Sequence, residues 1–246
     1  MKTRFRFTKI GSMKFIGHLD VMRFFQKAIR RAKLDVAYSK GYSPHQLMSF
    51  ASPLGVGLTS DGEYIDVEFN SLPEPFDKQE FLTHLNESMT DEIFVTDFEI
   101  MPDNFKTSMA LLSACDYVLS FKDGYEIPQN FKTKFEEYMS RDNILILKKT
   151  KRSEKEIDVK PHILQYAFTQ KDFEEKIHAE LFEFHGEVYE NGVTLYLQLT
   201  SGSSINIKPD LIMNDFLHFA GLSVNPYSYQ IHRLNMYFDG EQKERN

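Results

Sequence analysis

The first sixty residues show two patterns of apolar and polar positions. Residues 3–7 alternate with period two, so Phe5 and Phe7 share one side and Arg4 and Arg6 the other, which predicts a β-strand. From 18 to 33 the apolar residues instead recur at helical spacing and predict an amphipathic helix. Its apolar face comprises Val21, Met22, Phe25, Ala28, Ile29 and Ala32, and its opposite face carries Arg23, Lys27, Arg30 and Arg31.

The same two patterns follow each other over the rest of the first hundred residues. Strands are predicted at Val36–Ser39, Tyr64–Phe69 and Ile93–Met101, and a helix with an aspartate N-cap at Asp77–Met89. Between them, Lys40–Gly62 is rich in glycine and proline and is predicted as a loop. The order β-α-β-β-α-β is that of the split βαβ, or ferredoxin-like, unit.

The charges on the predicted strands agree with this topology. In its usual sheet order the first strand lies between the third and the fourth, and the outward positions of both neighbours are acidic. Those positions are Asp66, Glu68, Asp97 and Glu99. We therefore expect Arg4 and Arg6 to lie between two acidic rows, as favourable cross-strand pairing requires.

The second half of the chain predicts another α+β unit. Strands are predicted at Ala114–Phe121, Ile144–Leu147 and Tyr229–Phe238, and helices at Phe131–Ser140 and Pro209–Ala220. Asn191-Gly192 predicts a hairpin that joins strands at Ile177–His185 and Val193–Thr200. The sequence thus predicts an α+β fold of two ferredoxin-like units with antiparallel sheets, the second elaborated. The predicted domains are 1–106 and 107–240, followed by a tail at 241–246.

Composition and charge narrow the class of protein. The 246 residues carry 29 basic and 36 acidic side chains, yet residues 1–60 hold 11 basic side chains against only Asp20 and Asp35, which indicates an anionic partner for that segment. Cys115 is the single cysteine, which excludes an intramolecular disulfide framework and a four-thiolate metal site and suits a reducing compartment. The start lacks an apolar signal segment and no run approaches the roughly 18 apolar residues of a membrane span. We expect a cytoplasmic protein that does not enter a membrane.

A candidate site is predicted where the first helix begins. The carboxyl ends of the first two predicted strands lead towards residues 17–20 and 39–45, so their side chains are expected at one opening. The helix N-terminus offers free N–H groups that suit phosphate, and two histidines are able to act as general acid and base on a phosphodiester. In the alternative, Asp20 stabilises the helix and the histidines are ordinary loop or capping residues. The catalytic candidates are His18, His45 and Asp20.

Anion or RNA binding is predicted for the basic helix face and the loop after the second predicted strand. The residues concerned are Arg23, Lys27, Arg30, Arg31, Lys40, Tyr38, Ser39 and Tyr42; the alternatives are a solvated helix face and tyrosines that pack in the core. A second basic loop is predicted around Lys149, Lys151 and Arg152. No metal or cofactor is predicted in this chain, because paired-cysteine, Walker and dinucleotide motifs are missing and His178 and His185 fall on opposite faces of one predicted strand.

Several motifs resemble a known family. Segments 15–23, 28–32, 37–45 and Glu63-Tyr64 resemble the radical-SAM-linked bacterial protein family of unknown function, found alone or fused behind a B12-binding radical SAM enzyme. A weaker likeness continues through Lys160-Pro161 and Lys208-Pro209-Asp210, which adds Lys160 and Lys208 to the secondary basic residues. Where the family tends to have arginine before these prolines, lysine supplies a point charge in place of a bidentate donor.

The resemblance implies a radical SAM protein as partner, in chemistry such as RNA modification or maturation. We therefore expect an accessory protein that presents an anionic substrate such as RNA to that partner. One alternative is a metal-independent endoribonuclease that uses His18 and His45, by analogy of architecture with the tandem ferredoxin-like ribonucleases that process CRISPR repeats. Another is a protein-binding scaffold.

Overall fold

In a computed structural model the chain is described at residues 1–102, 104–149 and 154–239. Its fold is mixed α+β, with a large, mostly antiparallel sheet and six α-helices in those ranges, so the predicted α+β class is confirmed. The chain forms two compact units. The first comprises Met1–Ser113, Glu183–Gly186 and the described part of Arg233–Asn246, and the second comprises Ala114–Phe182 and Glu187–His232. Among the helices of the described ranges, none combines the length and the apolar character needed to cross a bilayer.

The first unit is built on antiparallel strands in the order β4-β1-β3-β2. The strands are β1 (Lys2–Lys9), β2 (Met48–Phe50), β3 (Thr59–Glu68) and β4 (Val95–Met101). The helices are α1 (His18–Arg31), α2 (Lys78–Asn86) and α3 (Ser108–Leu111), and a 3-10 turn covers Gly11–Phe15. As predicted, β1 lies between β3 and β4.

Helix α1 covers one face of these strands with the apolar stripe that the sequence predicts. Val21, Phe25, Ala28 and Ile29 are buried, and the ring of Phe25 lies 4.7 Å from that of Phe7 on β1. On α2, Asp77 caps the helix by accepting a hydrogen bond from the backbone N–H of Glu80, as predicted for this position. Burial of aromatic and branched side chains between helices and strands therefore fixes the position of α1.

The opposite face of β1 is buried as well, which the alternating pattern does not predict. Arg4 is opposite both Asp66 and Glu99, as expected, whereas Arg6 is opposite Asp97 on β4 and Tyr64 on β3. The expected position between two acidic rows is therefore confirmed for Arg4 alone. However, Arg4 is only 3% exposed and Arg6 only 6% exposed. These arginines therefore lie inside the unit and contribute little to any surface that meets a partner.

Strand β3 contains an irregularity where it pairs with the end of β1. Phe7 is opposite Glu63 and Lys9 is opposite Ser60, so Asp61 and Gly62 together face the single residue between Phe7 and Lys9. Two residues against one is the arrangement of a β-bulge, which redirects side chains and is common beside functional sites. The bulge also explains why Lys40–Gly62, predicted as loop throughout, ends within a strand.

The second unit has the strand order β10-β5-β9-β8. Its strands are β5 (Leu112–Phe121), β8 (Ile163–Ala167), β9 (Thr194–Thr200) and β10 (Tyr229–Phe238); Leu112, Ser113 and the part of β10 from Arg233 belong to the first unit. Strands β6 (Leu145–Lys149) and β7 (Glu154–Asp158) form a separate pair. The helices are α4 (Phe131–Ser140), α5 (Gln170–Ile177) and α6 (Pro209–Phe219), with a 3-10 turn at Lys160–His162.

Two strand predictions are wrong. Residues 36–39 form only isolated bridges, Val36 with Phe69 and Tyr38 with Gln46, and the strand that pairs with β3 lies later, at β2. Residues 177–185 are not a strand: α5 ends at Ile177, and β9 pairs with β5 and β8. Asn191-Gly192 does turn the chain, but its Asn191 side chain hydrogen-bonds Asp123 and the Phe121 carbonyl and does not close a hairpin. The tail predicted at 241–246 lies outside the described residues.

Gly62 is expected to be intolerant of any side chain. A β-carbon at this position would lie 2.5 Å from the carbonyl oxygen of Leu234 and 2.6 Å from Cα of Asn235, which are backbone atoms that have no freedom to withdraw. We expect Gly62→Ala to lower the free energy of unfolding by about 1–3 kcal/mol, as overpacking typically does. Urea denaturation measures this. Gly55→Ala is the control, because its β-carbon would meet only Leu58 at an ordinary 3.6 Å; equal effects in the two variants would contradict the close approach.

Candidate functional site

The exposed face of α1 carries the cations that the sequence predicts, and their interactions differ. Arg23 and Asp20 form a solvent-exposed ion pair, Nη1 to Oδ1 at 3.3 Å, which is worth little in stability. Lys27 is exposed, and Arg30 donates from Nε to the carbonyl of Gln26 at 3.2 Å, which leaves the rest of its guanidinium at the surface. Arg31 instead donates to the carbonyl of Ser88 and is committed to a structural contact.

The loop of residues 38–46 lies against the middle of α1. Ser39 Oγ lies 2.8 Å from His45 Nδ1 and accepts from the His45 backbone N–H at 3.1 Å, so these two residues close the loop on each other. At its end, the Gln46 side-chain amide donates both to the Tyr38 hydroxyl at 3.4 Å and to the carbonyl of Gln26 at 3.3 Å. The amide of Gln46 thus connects the tyrosine to the helix that carries the basic stripe.

This connection links the ring of Tyr38 to the helix that carries the cations. Tyr38 is 48% exposed, and Tyr42 in the same loop is fully exposed. Gln26, to which Tyr38 is linked, lies between Arg23 and Lys27 in sequence and one helical turn before Arg30. We call Arg23, Lys27, Arg30, Tyr38 and Tyr42 the basic-aromatic surface; Lys40 is exposed in the same loop.

The structure does not bring His18 and His45 into one hydrogen-bond network. His45 is engaged with Ser39, at the middle of α1, whereas His18 is the first residue of α1 and packs its ring edge-on against Phe50 with centroids 4.9 Å apart. The eight residues from His18 to Gln26 correspond to about 12 Å along the helix axis. Asp20 pairs with Arg23 and forms no side-chain cap of the helix.

A cluster of buried charges that sequence reasoning missed lies beside His18. Lys9 is 2% exposed, Glu63 is 3% exposed and Arg233 is 5% exposed. Arg233 Nη1 donates to both carboxylate oxygens of Glu63, at 2.8 and 3.1 Å. Lys9 Nζ has no hydrogen-bond partner among the described residues. We call Lys9, Glu63 and Arg233 the buried charge cluster.

Burial sets the proton affinities in this cluster. It lowers the pKa of the Lys9 ammonium, with Glu63 opposing the change and Arg233 adding to it. Burial likewise raises the pKa of the Glu63 carboxyl, against the opposing effects of Arg233, Ser60 and Lys9. Titratable groups whose pKa values are shifted by burial, and which share one small cavity, are characteristic of binding and catalytic sites.

That cavity has a volume of about 10 Å³ and is lined by both apolar and charged residues. Its polar lining comprises Lys9, His18, Ser52 and Glu63, and Phe7, Val21, Phe50, Pro53 and Leu54 form the remainder. The volume corresponds to about one water-sized group. Since Pro53 is exposed and His18 and Ser52 are half-buried, the cavity lies near the surface.

A second histidine is held by a carboxylate on the same bulge. The buried Asp61 accepts from the backbone N–H of His185 at 2.9 Å, and its Oδ1 lies 3.0 Å from His185 Nδ1. The ring of Phe94 lies 5.8 Å from the imidazole in an edge-on contact. Contact with Asp61 fixes the orientation of an imidazole that the sequence had suggested only as an unpaired strand residue.

The secondary basic positions differ in their contacts. Lys160 Nζ donates to the carbonyl of Arg141. Lys208 is exposed and directly precedes Pro209, where α6 begins. Lys149 is the last residue of β6, so the predicted basic loop starts in a strand, and Lys151 and Arg152 lie outside the described residues. In the described part of the chain no three His, Cys, Asp or Glu side chains are grouped as metal ligands would be.

Comparison with known proteins places the site in a family without an assigned activity. A family model described as "Uncharacterized protein conserved in bacteria (DUF2344)" matches residues 2–209. This range includes the basic-aromatic surface together with Lys9 and Glu63, whereas Arg233 and the rest of β10 follow it. No curated protein sequence matches the chain.

Loss of Arg233 is expected to be more damaging than loss of the whole ion pair. Arg233→Met leaves the Glu63 carboxylate buried without its guanidinium, and such a change costs about 3–5 kcal/mol of unfolding free energy. In Arg233→Met/Glu63→Gln no carboxylate remains, so we expect a recovery of about 1 kcal/mol or more. Urea denaturation at pH 7 measures both variants, and a double variant no more stable than the single one would contradict this assignment.

The penalty in Arg233→Met is also expected to depend on pH. A carboxyl whose pKa is raised in the folded state stabilises that state below its unfolded pKa, and the contribution is lost as the pH rises through the folded value. Because burial raises the pKa of Glu63, its protonation removes the uncompensated charge. Unfolding curves should therefore show a smaller penalty at pH 5 than at pH 8, and a constant penalty would exclude Glu63 as its source.

Proposed function

The chain belongs to the DUF2344 family of uncharacterized bacterial proteins, and we propose that it is a non-catalytic binding protein that presents RNA to a radical SAM enzyme. The RNA half of the proposal rests on the basic-aromatic surface. The enzyme half rests on the resemblance of residues 15–45 to radical-SAM-linked proteins. These 246 residues contain one cysteine, so they do not themselves supply the three-cysteine cluster of such chemistry.

One observation carries the RNA proposal: the Gln46 amide joins the exposed ring of Tyr38 to the basic face of α1. Proteins bind single-stranded nucleic acid by stacking bases on aromatic rings while cations follow the phosphates. Arg23, Lys27 and Arg30 extend over about 10 Å of helix, and Tyr38 lies beside them. Exposed rings next to unburied cations fit a single strand better than a protein partner, whose interface would favour fewer charges at its centre.

We also propose that both units are ferredoxin-like. The order β4-β1-β3-β2 in the first unit is the order of a split βαβ sheet, with α1 and α2 as its crossovers. In the second unit β10-β5-β9-β8 has the same order, provided that β5, β8, β9 and β10 are counted as its four strands. The β6–β7 pair and α5 would then be the elaboration.

Reversal of charge on α1 should weaken RNA binding. We expect Arg23→Glu/Lys27→Glu/Arg30→Glu to weaken binding of single-stranded RNA, and the slope of log K against log salt to fall by about 2 when three phosphate contacts are lost. Fluorescence anisotropy over a range of salt concentrations measures both quantities. Binding by the unaltered protein that does not respond to salt would contradict the proposal.

The matched control is Lys132→Glu/Lys171→Glu/Lys176→Glu, which makes the same change of net charge on exposed lysines of the second unit. Equal losses in the two triple variants would show a general effect of charge and would exclude α1 as the site. RNA recovered from these titrations should be intact without added metal. Metal-free cleavage that is lost in both His18→Ala and His45→Ala would instead establish the ribonuclease alternative.

Removal of the rings should weaken binding without changing its salt dependence. We expect Tyr38→Ala and Tyr42→Ala each to cost about 1–3 kcal/mol of RNA affinity where a base stacks on the ring, with the salt slope unchanged. Tyr227→Ala is the control, since Tyr227 is 71% exposed and lies in the second unit. If neither Tyr38 nor Tyr42 exceeds this control in the same anisotropy assay, RNA does not stack on this surface.

A further inference from the structure

Lys9 is an ammonium group that the fold buries without an acceptor. Its side chain is 2% exposed, and Nζ has no hydrogen-bond partner among the described residues. Glu63, whose negative charge acts on Lys9, is already bonded through both oxygens to Arg233. A buried cation with unused donors is costly unless an anion meets it, so this position favours a ligand with acceptor oxygens.

The start of α1 lies at the same cavity. Gly17 is the N-cap, and no side chain caps the helix. The backbone N–H groups of His18 and Leu19 have no acceptor among the described residues, whereas those of Asp20 and Val21 bond to Gly17. His18 lines the cavity together with Lys9. The N-terminus of this 14-residue helix therefore adds two free donors and the positive end of a helix dipole.

We propose that this cavity and the start of α1 form a phosphate-binding subsite, in which Lys9 Nζ and the N–H groups of His18 and Leu19 bind the oxygens of a phosphate monoester. The net charge of the buried charge cluster favours an anion. Two cations, Lys9 and Arg233, and one carboxylate, Glu63, leave one positive charge, and the helix dipole adds to the positive potential. A divalent cation would be repelled by the same arrangement. The inference stands beside the proposed RNA binding and does not require it.

The size of the cavity defines how the group is bound. A volume of about 10 Å³ admits a single oxygen atom and not a whole phosphate. One oxygen therefore enters against Lys9, and the phosphorus with its other oxygens stays at the mouth, beside His18 and Ser52. A mouth of this kind selects a terminal phosphate over a phosphodiester, because a monoester has three free oxygens and only one substituent.

Binding of inorganic phosphate to the full chain tests the subsite directly. We expect saturable binding by isothermal titration calorimetry, with a Kd of about 1 mM or tighter. Lys9→Met, which keeps the length of the side chain and removes its donors, should weaken this binding about 10- to 100-fold, as expected for a charge-assisted hydrogen bond. Lys171→Met, on an exposed lysine of the second unit, should bind as the unaltered protein does.

A second measurement on the unaltered protein covers the case in which Lys9→Met does not fold. Phosphate should protect Lys9 from acylation by an amine reagent, as read by peptide mass spectrometry, and should not protect Lys171. The inference is overturned if phosphate does not bind, if Lys9→Met binds it as tightly as the unaltered protein, or if Lys9 reacts at the same rate with and without it.

The source of the phosphate is resolved with RNA oligomers that carry a 5′-phosphate, a 3′-phosphate or only hydroxyl ends. Tighter binding of one phosphorylated end, lost in Lys9→Met, would assign the subsite to the RNA terminus. Competition by inorganic phosphate alone, with no preference among the oligomers, would assign it to a small phosphate monoester. The charge-reversed α1 variant separates the two proposals, because it should lose hydroxyl-ended RNA and keep inorganic phosphate.

Discussion

The first unit depends on how it pairs charges that it cannot expose. Both faces of β1 are buried, so its two arginines, Arg4 and Arg6, each need a partner. Arg4 is paired through Nε, which donates to Asp66 at 3.2 Å, and its guanidinium lies over the rings of Phe105 and Phe238. Asp66 in turn accepts from the backbone and hydroxyl of Ser108, both at 2.6 Å. Removal of either partner would leave a buried charge unpaired, which is far more costly than the pair itself is stabilising.

The same requirement explains the bulge in β3. Without the additional residue, Asp61 and Glu63 would point to the same face of the strand. With the bulge, the Asp61 side chain contacts His185, and the Glu63 side chain accepts from Arg233. Gly62 allows the backbone of β10 to approach closely enough to deliver Arg233. Lys9 is the exception in this arrangement, since Glu63, whose charge acts on it, is already bonded to Arg233. A buried lysine without an acceptor persists only if the rest of the unit supports it, and such positions occur mainly at functional sites.

Much of this arrangement is predictable from the periodicity of the sequence, including the two opposite charges, Lys9 and Glu63, that the predictions above do not contain. Helix α1, its apolar stripe and the position of Arg4 between Asp66 and Glu99 follow from spacing alone. Period two also places Lys9 in line with Phe5 and Phe7, and Glu63 in line with Ile65, so two opposite charges on a core face were readable from the sequence. Arg233 was not, because β10 is buried on both faces and shows no alternation. The prediction of a strand at 36–39 is wrong because β propensity does not reveal which of two neighbouring segments pairs with β3. The prediction of a hairpin at 191–192 is wrong because the same residues also form turns in loops.

The helix α1 connects the buried charges to both proposed functions. Its apolar stripe is fixed on β1 by contacts such as that of Phe25 with Phe7, so neither its rotation nor its axial position is free to vary. Rotation determines that Arg23, Lys27 and Arg30 face outward, and axial position determines that its first residue, His18, lines the cavity of Lys9. A strand of RNA that follows the cations towards the helix start would therefore arrive with its end at that cavity. The packing of α1 on β1 therefore sets the position of the basic-aromatic surface and of the helix start beside the buried charge cluster.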